Sequence, residues 1–358
     1  MGKKGIIDSP ARVRESEALD VDAVSAFLRK NITGMSGTIE IRQFPSGFSN
    51  LTYFIRVGEK EMVLRRPPFG KKAKTAHDMA REYRILSALY PVFPYCPQPL
   101  AFCDDESVMG CRFYVMERIP GIILRKDIPE ELDFSPDSAR RLCDAMIDLL
   151  VKLHTLDYNA IGLSDFGKPD GYVRRQVEGW SKRYRDARTP DVPDYEGVME
   201  WLSINMPDDD PHPGIIHNDY KFDNLVLNPD NPLEIIGILD WEMATLGDPL
   251  MDLGNSLAYW IEAGDSEEMQ AIRLVSTNAP GMMTRQELID LYSEKTGRSI
   301  DSFAFYYCFG LFRLAVIAQQ IYYRYFHGQT KDKRFAQLGF AVAILESAAK
   351  RVIATGKI

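Results

Sequence analysis

What the chain has little of narrows its class before any motif is read. Only five of its 358 residues are cysteine (Cys96, Cys103, Cys111, Cys143, Cys308). They are odd in number and include no C-x-x-C pair, so neither a disulfide framework nor a zinc site is indicated, and reduced cytoplasmic thiols are the expectation. Basic charge is in deficit. Lys and Arg total 43 against 51 Asp and Glu, a net charge of -8, which leaves no basic excess for general nucleic-acid binding. The polar N-terminus has no apolar signal-peptide core, and Ile6 stands where myristoylation of a Met1-Gly2 terminus requires Ser or Thr. The most apolar run, Phe303 to Ile317, is broken by Arg313 and is shorter than the ~20 residues of a membrane span. It is expected to be a buried helix. Repeats and low-complexity segments are lacking too. Nucleic acid and membrane are therefore not expected partners, the expected location is the cytoplasm, and the oligomeric state cannot be read.

What is present is ordinary globular composition, 45% hydrophobic and 26% charged, at a length that suits two lobes with separate cores. The chain is organised around Ile215 to Leu239. An apolar run enters the polar stretch His217-Asn218-Asp219-Tyr220-Lys221-Phe222-Asp223-Asn224, and another leaves it. The run Ile235 to Leu239 then stops at Asp240-Trp241-Glu242. Two short strands around the turn Asn228-Pro229-Asp230-Asn231-Pro232 predict a hairpin. The hairpin would carry Asn224 at one end and return Asp240 beside it, with Asp219 a few residues away. One carboxylate able to accept a proton, plus a carboxylate and an amide oxygen for a hard cation, suits phosphoryl transfer.

The pattern H-x-D-x-K-x-x-N at His217, Asp219, Lys221 and Asn224 resembles the catalytic loop of protein-kinase-like enzymes. The continuation Leu239-Asp240-Trp241-Glu242, Gly247-Asp248-Pro249 and Asp252-Leu253 resembles the aminoglycoside phosphotransferase branch. Within it the chain is most similar to the kinase-like domains fused to some acyl-CoA dehydrogenases and to their free-standing bacterial relatives. The resemblance implies an α+β, protein-kinase-like bilobal fold, with a small antiparallel-sheet N-lobe carrying one main helix and a larger, mostly helical C-lobe. It also implies Mg2+ and ATP (or GTP) as co-substrate. Asp219 would be the base that orients and deprotonates an acceptor hydroxyl, and Lys221 the loop cation near the γ-phosphate. Asn224 and Asp240 would be the metal ligands. His217 is expected to brace the loop, Asp252 to accept hydrogen bonds from its backbone, and Asp223 to be solvated. Asn218 stands where most aminoglycoside phosphotransferases have Gly.

Residues 1–20 are expected as a flexible or loosely docked tail, 21–118 as the N-lobe and 119–358 as the C-lobe. Strands are predicted over Thr38 to Phe44, Leu51 to Val57 and Glu61 to Arg66. The turn Pro45 to Asn50 joins the first two, and Gly47, Ser49 and Asn50 could lay backbone N–H groups over phosphates. Arg65 matches the strand lysine of kinases with Arg in its place, and Glu82 matches the glutamate of the following helix, predicted from Lys74 to Tyr90. Their pair would hold the guanidinium against the α- and β-phosphates. The exchange alters the contact, since Arg is a planar fork and Lys a point charge. Arg66 is the rival but should face the other way, because strand side chains alternate. Two more strands, Pro97 to Phe102 and Cys111 to Glu117, lead to a hinge where backbone groups near Glu117 and Ile119 would meet the base. Helices then dominate. Ser135-Pro136 opens one that ends at His154, which is expected to cap or pack, and the last two helices run roughly from Asp301 to Phe326 and from Asp332 to Thr355.

Two rivals bear on the activity. A protein kinase would need an activation segment, but helix signals resume by Asp248, so a small-molecule acceptor is favoured. A catalytically inactive nucleotide-binding module has only Arg65 in its support. For the acceptor, an aminoglycoside needs a dense acidic surface, and Glu262, Asp265, Glu267 and Glu268 are the candidates, although an ordinary solvated helix start is favoured there. The aromatics of the late helices, Phe303, Phe305, Tyr306, Tyr307, Phe309, Phe312, Tyr322, Tyr323, Tyr325 and Phe326, exceed one narrow core stripe. Some are expected to line an apolar pocket suited to a hydroxyacyl chain.

Overall fold

A computed structural model describes residues 6–44, 50–69, 78–330 and 332–358. The chain forms two compact units. One comprises residues 1–123, 161–163 and 224–244, and the other 124–160, 164–223 and 245–358.

In the first unit Asp20 caps α1 (Val21–Asn31), its carboxylate accepting from the N–H groups of Asp22 and Ala23. Strands β1 (Ile39–Gln43), β2 (Leu51–Val57) and β3 (Lys60–Arg66) follow, then α2 (Met79–Leu89), β4 (Pro99–Cys103) and β5 (Phe113–Glu117). The five strands form one antiparallel sheet in the order β1-β2-β3-β5-β4. Alternation along the strands puts Tyr53, Ile55, Leu64, Phe113 and Val115 on one face, where they form a core with Val24 and Leu28 of α1. The expected helix start at Lys74, like Gly47 and Ser49, lies outside the described residues; α2 begins at Met79 with Asp78 as its cap.

The stretch read as a flexible or loosely docked tail is described from Ile6. From Ile6 onward it is docked: Ile7 bridges Ile122, Ala11 bridges Gln43, and the Tyr53 hydroxyl donates to the Glu17 carbonyl at 2.7 Å.

The second unit is mostly helical. It contains α3 (Pro136–His154), α4 (Tyr172–Ala187), α5 (Glu196–Ile204) and β6 (Gly214–Ile216). The chain then returns to the first unit for β7 (Leu225–Leu227) and β8 (Ile235–Ile238). That return departs from the single boundary near residue 118 read from the sequence. Its cause is backbone pairing: Ile122 and Leu227 exchange N–H···O bonds at 2.8 and 2.9 Å, and the Ile238 N–H donates to the Tyr95 carbonyl at 2.5 Å. The remaining elements belong to the second unit: β9 (Thr245–Gly247), α6 (Pro249–Ala258), α7 (Glu267–Ala271), α8 (Arg285–Thr296), α9 (Ala304–Phe326) and α10 (Leu338–Thr355). Ser135 caps α3, Asp248 caps α6 and a Thr284–Glu287 capping box opens α8, all at the positions the sequence marks.

Helix α9 has 23 residues and is long and apolar enough to cross a membrane, but 72% of its most apolar stretch is buried inside the protein. Phe303, Phe305, Tyr306, Tyr307, Phe309 and Phe312 are all buried in this unit. Two glycines let α6 and α9 cross with their backbones touching. A Cβ on Gly254 would lie 2.4 Å from the Tyr306 carbonyl oxygen, and one on Gly310 would lie 2.2 Å from the Gly254 oxygen. No larger residue fits at either place without moving a helix.

Candidate active site

The expected hairpin forms. Leu225 pairs with Ile238, and the Leu239 N–H donates to the Asn224 carbonyl at 2.8 Å, so Asn224 faces the residue that precedes Asp240. Asp240 has a left-handed backbone, φ 67°, a conformation that Asp tolerates better than most residues. The turn Trp241–Met243 follows, held by the Trp241 indole N–H on the Ile238 carbonyl at 2.8 Å.

Within this same unit, β3 directs Arg65 inward, and only 7% of its side chain is exposed. One guanidinium nitrogen pairs with Glu82 of α2, and Nη2 donates to Asp240 Oδ1 at 2.9 Å. The Glu242 carboxylate is 3.7 Å from Nη2 and accepts from the Asn50 amide at 2.5 Å. Three carboxylates thus surround one cation. Burial pushes the Glu82 carboxyl up to about 7 against the pull of Arg65, and Asp240 adds to the rise. Among the described residues the buried Arg65 Nε and Glu82 Oε2 have no hydrogen-bond partner within 3.5 Å. Excess negative charge and unused polar atoms fit a site completed by a further cation and a phosphate chain. Asn224 and Asp240 offer the hard oxygen donors that magnesium takes. Among the described residues no group of three or more His, Cys, Asp or Glu could hold a metal. Arg66 points elsewhere: its Nε donates to the Pro67 carbonyl and its guanidinium lies 3.7 Å from the centre of the Phe69 ring.

At the hinge, the Glu117 N–H is already spent on the Gln98 carbonyl at 2.8 Å, so it cannot be the donor to a base. Ile119 makes no backbone hydrogen bond among the described residues, while its side chain packs on Gly237.

The loop after β6 belongs to the second unit. Buried Asp252 of α6 is its anchor, accepting from the N–H groups of His217 and Asn218 at 2.7 Å each. His154 Nε2 lies 3.1 Å from the same carboxylate, and Nδ1 lies 2.8 Å from the Tyr292 hydroxyl. Burial alone would raise Asp252; the hydrogen bond and charge of His154, with those of His217, more than reverse this and hold it below the ordinary carboxylate range. Its stabilisation is therefore present above about pH 4 and lost as pH falls through the lowered folded value. Removing a buried, fully used carboxylate costs ~3–5 kcal/mol. Asp252→Ala is expected to lower the melting temperature by several degrees, measured by calorimetry; an unchanged melting point would mean that the anchor is dispensable.

Asn218 adopts φ 64°. Its side-chain oxygen accepts from Tyr172 at 3.3 Å and from Asn255 at 3.1 Å, so the side chain is anchored. The Asp219 N–H donates to His217 Nδ1 at 3.2 Å, so His217 braces the loop as read. Lys221 Nζ lies 2.5 Å from Asp219 Oδ2 and 3.4 Å from Asp223 Oδ1. Burial pulls the Lys221 ammonium down, but the surrounding charge, Asp219 foremost, outweighs it and raises it above its ordinary value. Asp223 is partly solvated, with 26% of its side chain exposed; burial raises its carboxyl and Lys221 opposes the rise.

The acidic patch proposed for a cationic acceptor is not free either. Arg285 binds Asp265 through both terminal nitrogens at 2.6 and 2.8 Å, and Glu262 accepts from the Arg285 backbone N–H at 2.5 Å. Only Glu267 and Glu268, at the start of α7, remain exposed.

The comparison with known proteins decides the family. Residues 40–282 match the model described as the phosphotransferase enzyme family, APH. The chain belongs to this family. It is a phosphotransferase with a kinase-like fold. A Ralstonia eutropha structure classed with the aminoglycoside phosphotransferases is 32% identical, with a TM-score of 0.78 over 93% of this chain and 99% of that one. An aminoglycoside phosphotransferase solved with AMP-PNP and hygromycin B shares only the fold, at 13% identity and a TM-score of 0.55 over 91% and 98% of the two chains. Mouse acyl-CoA dehydrogenase family member 10 is 35% identical over 91% of this phosphotransferase and 30% of its own length. The chain spans less than half the length of the curated relatives it matches.

Proposed function

We propose that this phosphotransferase moves the γ-phosphoryl group of ATP (or GTP), with Mg2+, to a hydroxyl of a small organic acceptor of the hydroxyacyl-CoA type. The observation that carries the phosphotransfer reading is the Arg65–Glu82–Asp240 constellation, built from β3, α2 and the end of β8 in one unit. Asp219 takes the acceptor's proton as its oxygen attacks the γ-phosphorus; the bond to the β-phosphate oxygen breaks, and the nucleoside diphosphate leaves. Lys221 neutralises charge on the transferring group, and Arg65 orients the phosphate chain. Asn224 and Asp240 would hold the magnesium, which neutralises phosphate charge when bound. The nucleotide assignment is supported by the AMP-PNP complex of the fold relative.

The acceptor class is supported by the acyl-CoA dehydrogenase names among the relatives and by the neutralised Glu262–Asp265 pair, which leaves that segment poorly suited to a polycationic sugar. The late-helix aromatics do not add to it, because the six between Phe303 and Phe312 are buried. The test is ATP consumption with hydroxyacyl-CoA thioesters beside aminoglycosides. Turnover of the thioesters is expected, and robust turnover of kanamycin-type sugars alone would overturn the reading. A catalytically inactive module would consume nucleotide with neither.

Arg65 gives an independent check. Arg65→Ala should weaken nucleotide binding several-fold or more, since a charge-assisted contact is worth roughly 1.5–3 kcal/mol, while Arg65→Lys should be partly tolerated. Equal nucleotide affinity in all three forms would move the phosphate contact elsewhere.

A further inference from the structure

Beside the Asp219 loop lies a cationic feature that phosphoryl transfer does not use. Arg313, in the middle of α9, is 4% exposed. Its Nη2 donates to the Asn218 carbonyl at 2.8 Å, one residue before Asp219. Its guanidinium carbon lies 5.2 Å from the centre of the Trp180 ring. Arg183, on the next turn of α4 after Trp180, brings a second guanidinium to within 4.6 Å of the same ring. Among the described residues neither arginine makes an ion pair with a carboxylate. Burial and the nearby Arg313 charge lower the Arg183 guanidinium from its ordinary value, as expected for two cations held close together. Tyr259 packs on the loop cation, with Lys221 Nζ 5.1 Å from its ring centre; burial and then Asp219 push its hydroxyl up to about 12, and Lys221 and Arg313 both oppose.

A buried guanidinium cannot escape its cost by losing a proton, and burying an unpaired charge is expensive. The buried Arg65 and Arg285 each meet carboxylates, whereas the buried Arg66 has the Pro67 carbonyl and the face of Phe69. Among the described residues Arg313 meets a carbonyl and an indole face, which leaves donors for a planar, two-pronged anion. We propose that Arg313 and Arg183, gathered on Trp180, bind an anionic group of the acceptor, a carboxylate or a phosphate, and make this phosphotransferase selective for acidic hydroxyl compounds. This rests on the reading that the second unit receives a hydroxyl acceptor beside Asp219, and it deepens that reading by naming the acceptor's charge. Both arginines are positioning residues and take no part in the proton transfer.

The experiment compares wild type with Arg183→Gln, an exposed position where folding is not at stake, and with Arg313→Lys. Each is assayed with three acceptors that carry the same hydroxyacyl chain: the CoA thioester, the free hydroxy acid and the uncharged pantetheine thioester. With Arg183→Gln, KM for a charged acceptor is expected to rise about ten-fold, a typical loss for one charge-assisted contact. KM for the uncharged thioester and for ATP should not move. Loss confined to the CoA thioester identifies a phosphate, and loss confined to the free acid a carboxylate. Equal loss for charged and uncharged acceptors, or a change in kcat alone, would reduce the arginines to loop braces and overturn the proposal.

A binding arm separates this failure from failure of the hydroxyacyl reading. CoA and a medium-chain carboxylate are each titrated into the protein saturated with AMP-PNP and Mg2+. Weaker binding to Arg183→Gln supports the anion site even if no hydroxyacyl compound is turned over, and identical or absent binding of both probes in all three proteins overturns it.

Discussion

Asp219→Asn should lose about 10²–10⁴ in turnover while nucleotide affinity stays near that of the wild type. The substitution keeps the side chain's shape and an oxygen to accept from Lys221, whose ammonium lies 2.5 Å away. The loop should stay in place, because the Asp219 N–H on His217 and the two N–H bonds to Asp252 involve backbone groups. What disappears is the capacity to take a proton from the acceptor. Single-turnover kinetics with acceptor, together with calorimetric nucleotide titration, separate the two effects. Full activity in this variant would remove Asp219 from the mechanism, and lost nucleotide affinity would mean that it acts on the donor instead.

Asp240→Ala should act on both steps. It removes a proposed metal donor and one of the acceptors that hold Arg65, since Asp240 Oδ1 sits 2.9 Å from Nη2. Nucleotide affinity in the wild type should tighten on adding magnesium, and in the variant that gain should largely vanish. Turnover should fall by ~10²-fold or more, in the range seen when preorganised charge stabilisation is lost. Folding should survive, because Glu82 still pairs with the buried guanidinium. Titrations with and without magnesium decide the matter, and an unchanged magnesium effect would put the cation elsewhere.

The sequence revealed what local pattern encodes. The hairpin that sets Asn224 beside Leu239 and Asp240 is written in two apolar runs and a turn, and Asp252 lies on a capped helix whose start is visible. Arg65 and Glu82 were legible because alternation in a strand and spacing in a helix each choose a face. Contacts between elements distant in the chain were not. Nothing local marks Asn50 as the partner of Glu242, 192 residues away, or Arg313 as a neighbour of Asn218. Asn255 could have been found: it lies three residues after Asp252, on the same face of α6. Glu262 and Asp265 looked like free surface acid because their partner, Arg285, lies beyond an intervening loop. Asp223 looked solvated as a lone charge usually does, and it is in part, with Lys221 3.4 Å away.

The return of residues 224–244 to the first unit has a consequence for the order in which the molecule can be completed. A ribosome releases the five-stranded sheet early, and nothing in its pairing needs later chain. Arg65, however, then has only Glu82, and waits for Asp240, 175 residues downstream. Closing so long an interval adds little to the entropic cost, which grows only with the logarithm of its length, but the delay in synthesis is unavoidable. Until Ile238 has emerged, the Ile122 and Tyr95 backbone groups lack the hairpin partners they have in the finished fold. Assembly of the phosphate-binding end is thereby postponed until α3, α4 and α5 of the other unit have already been made.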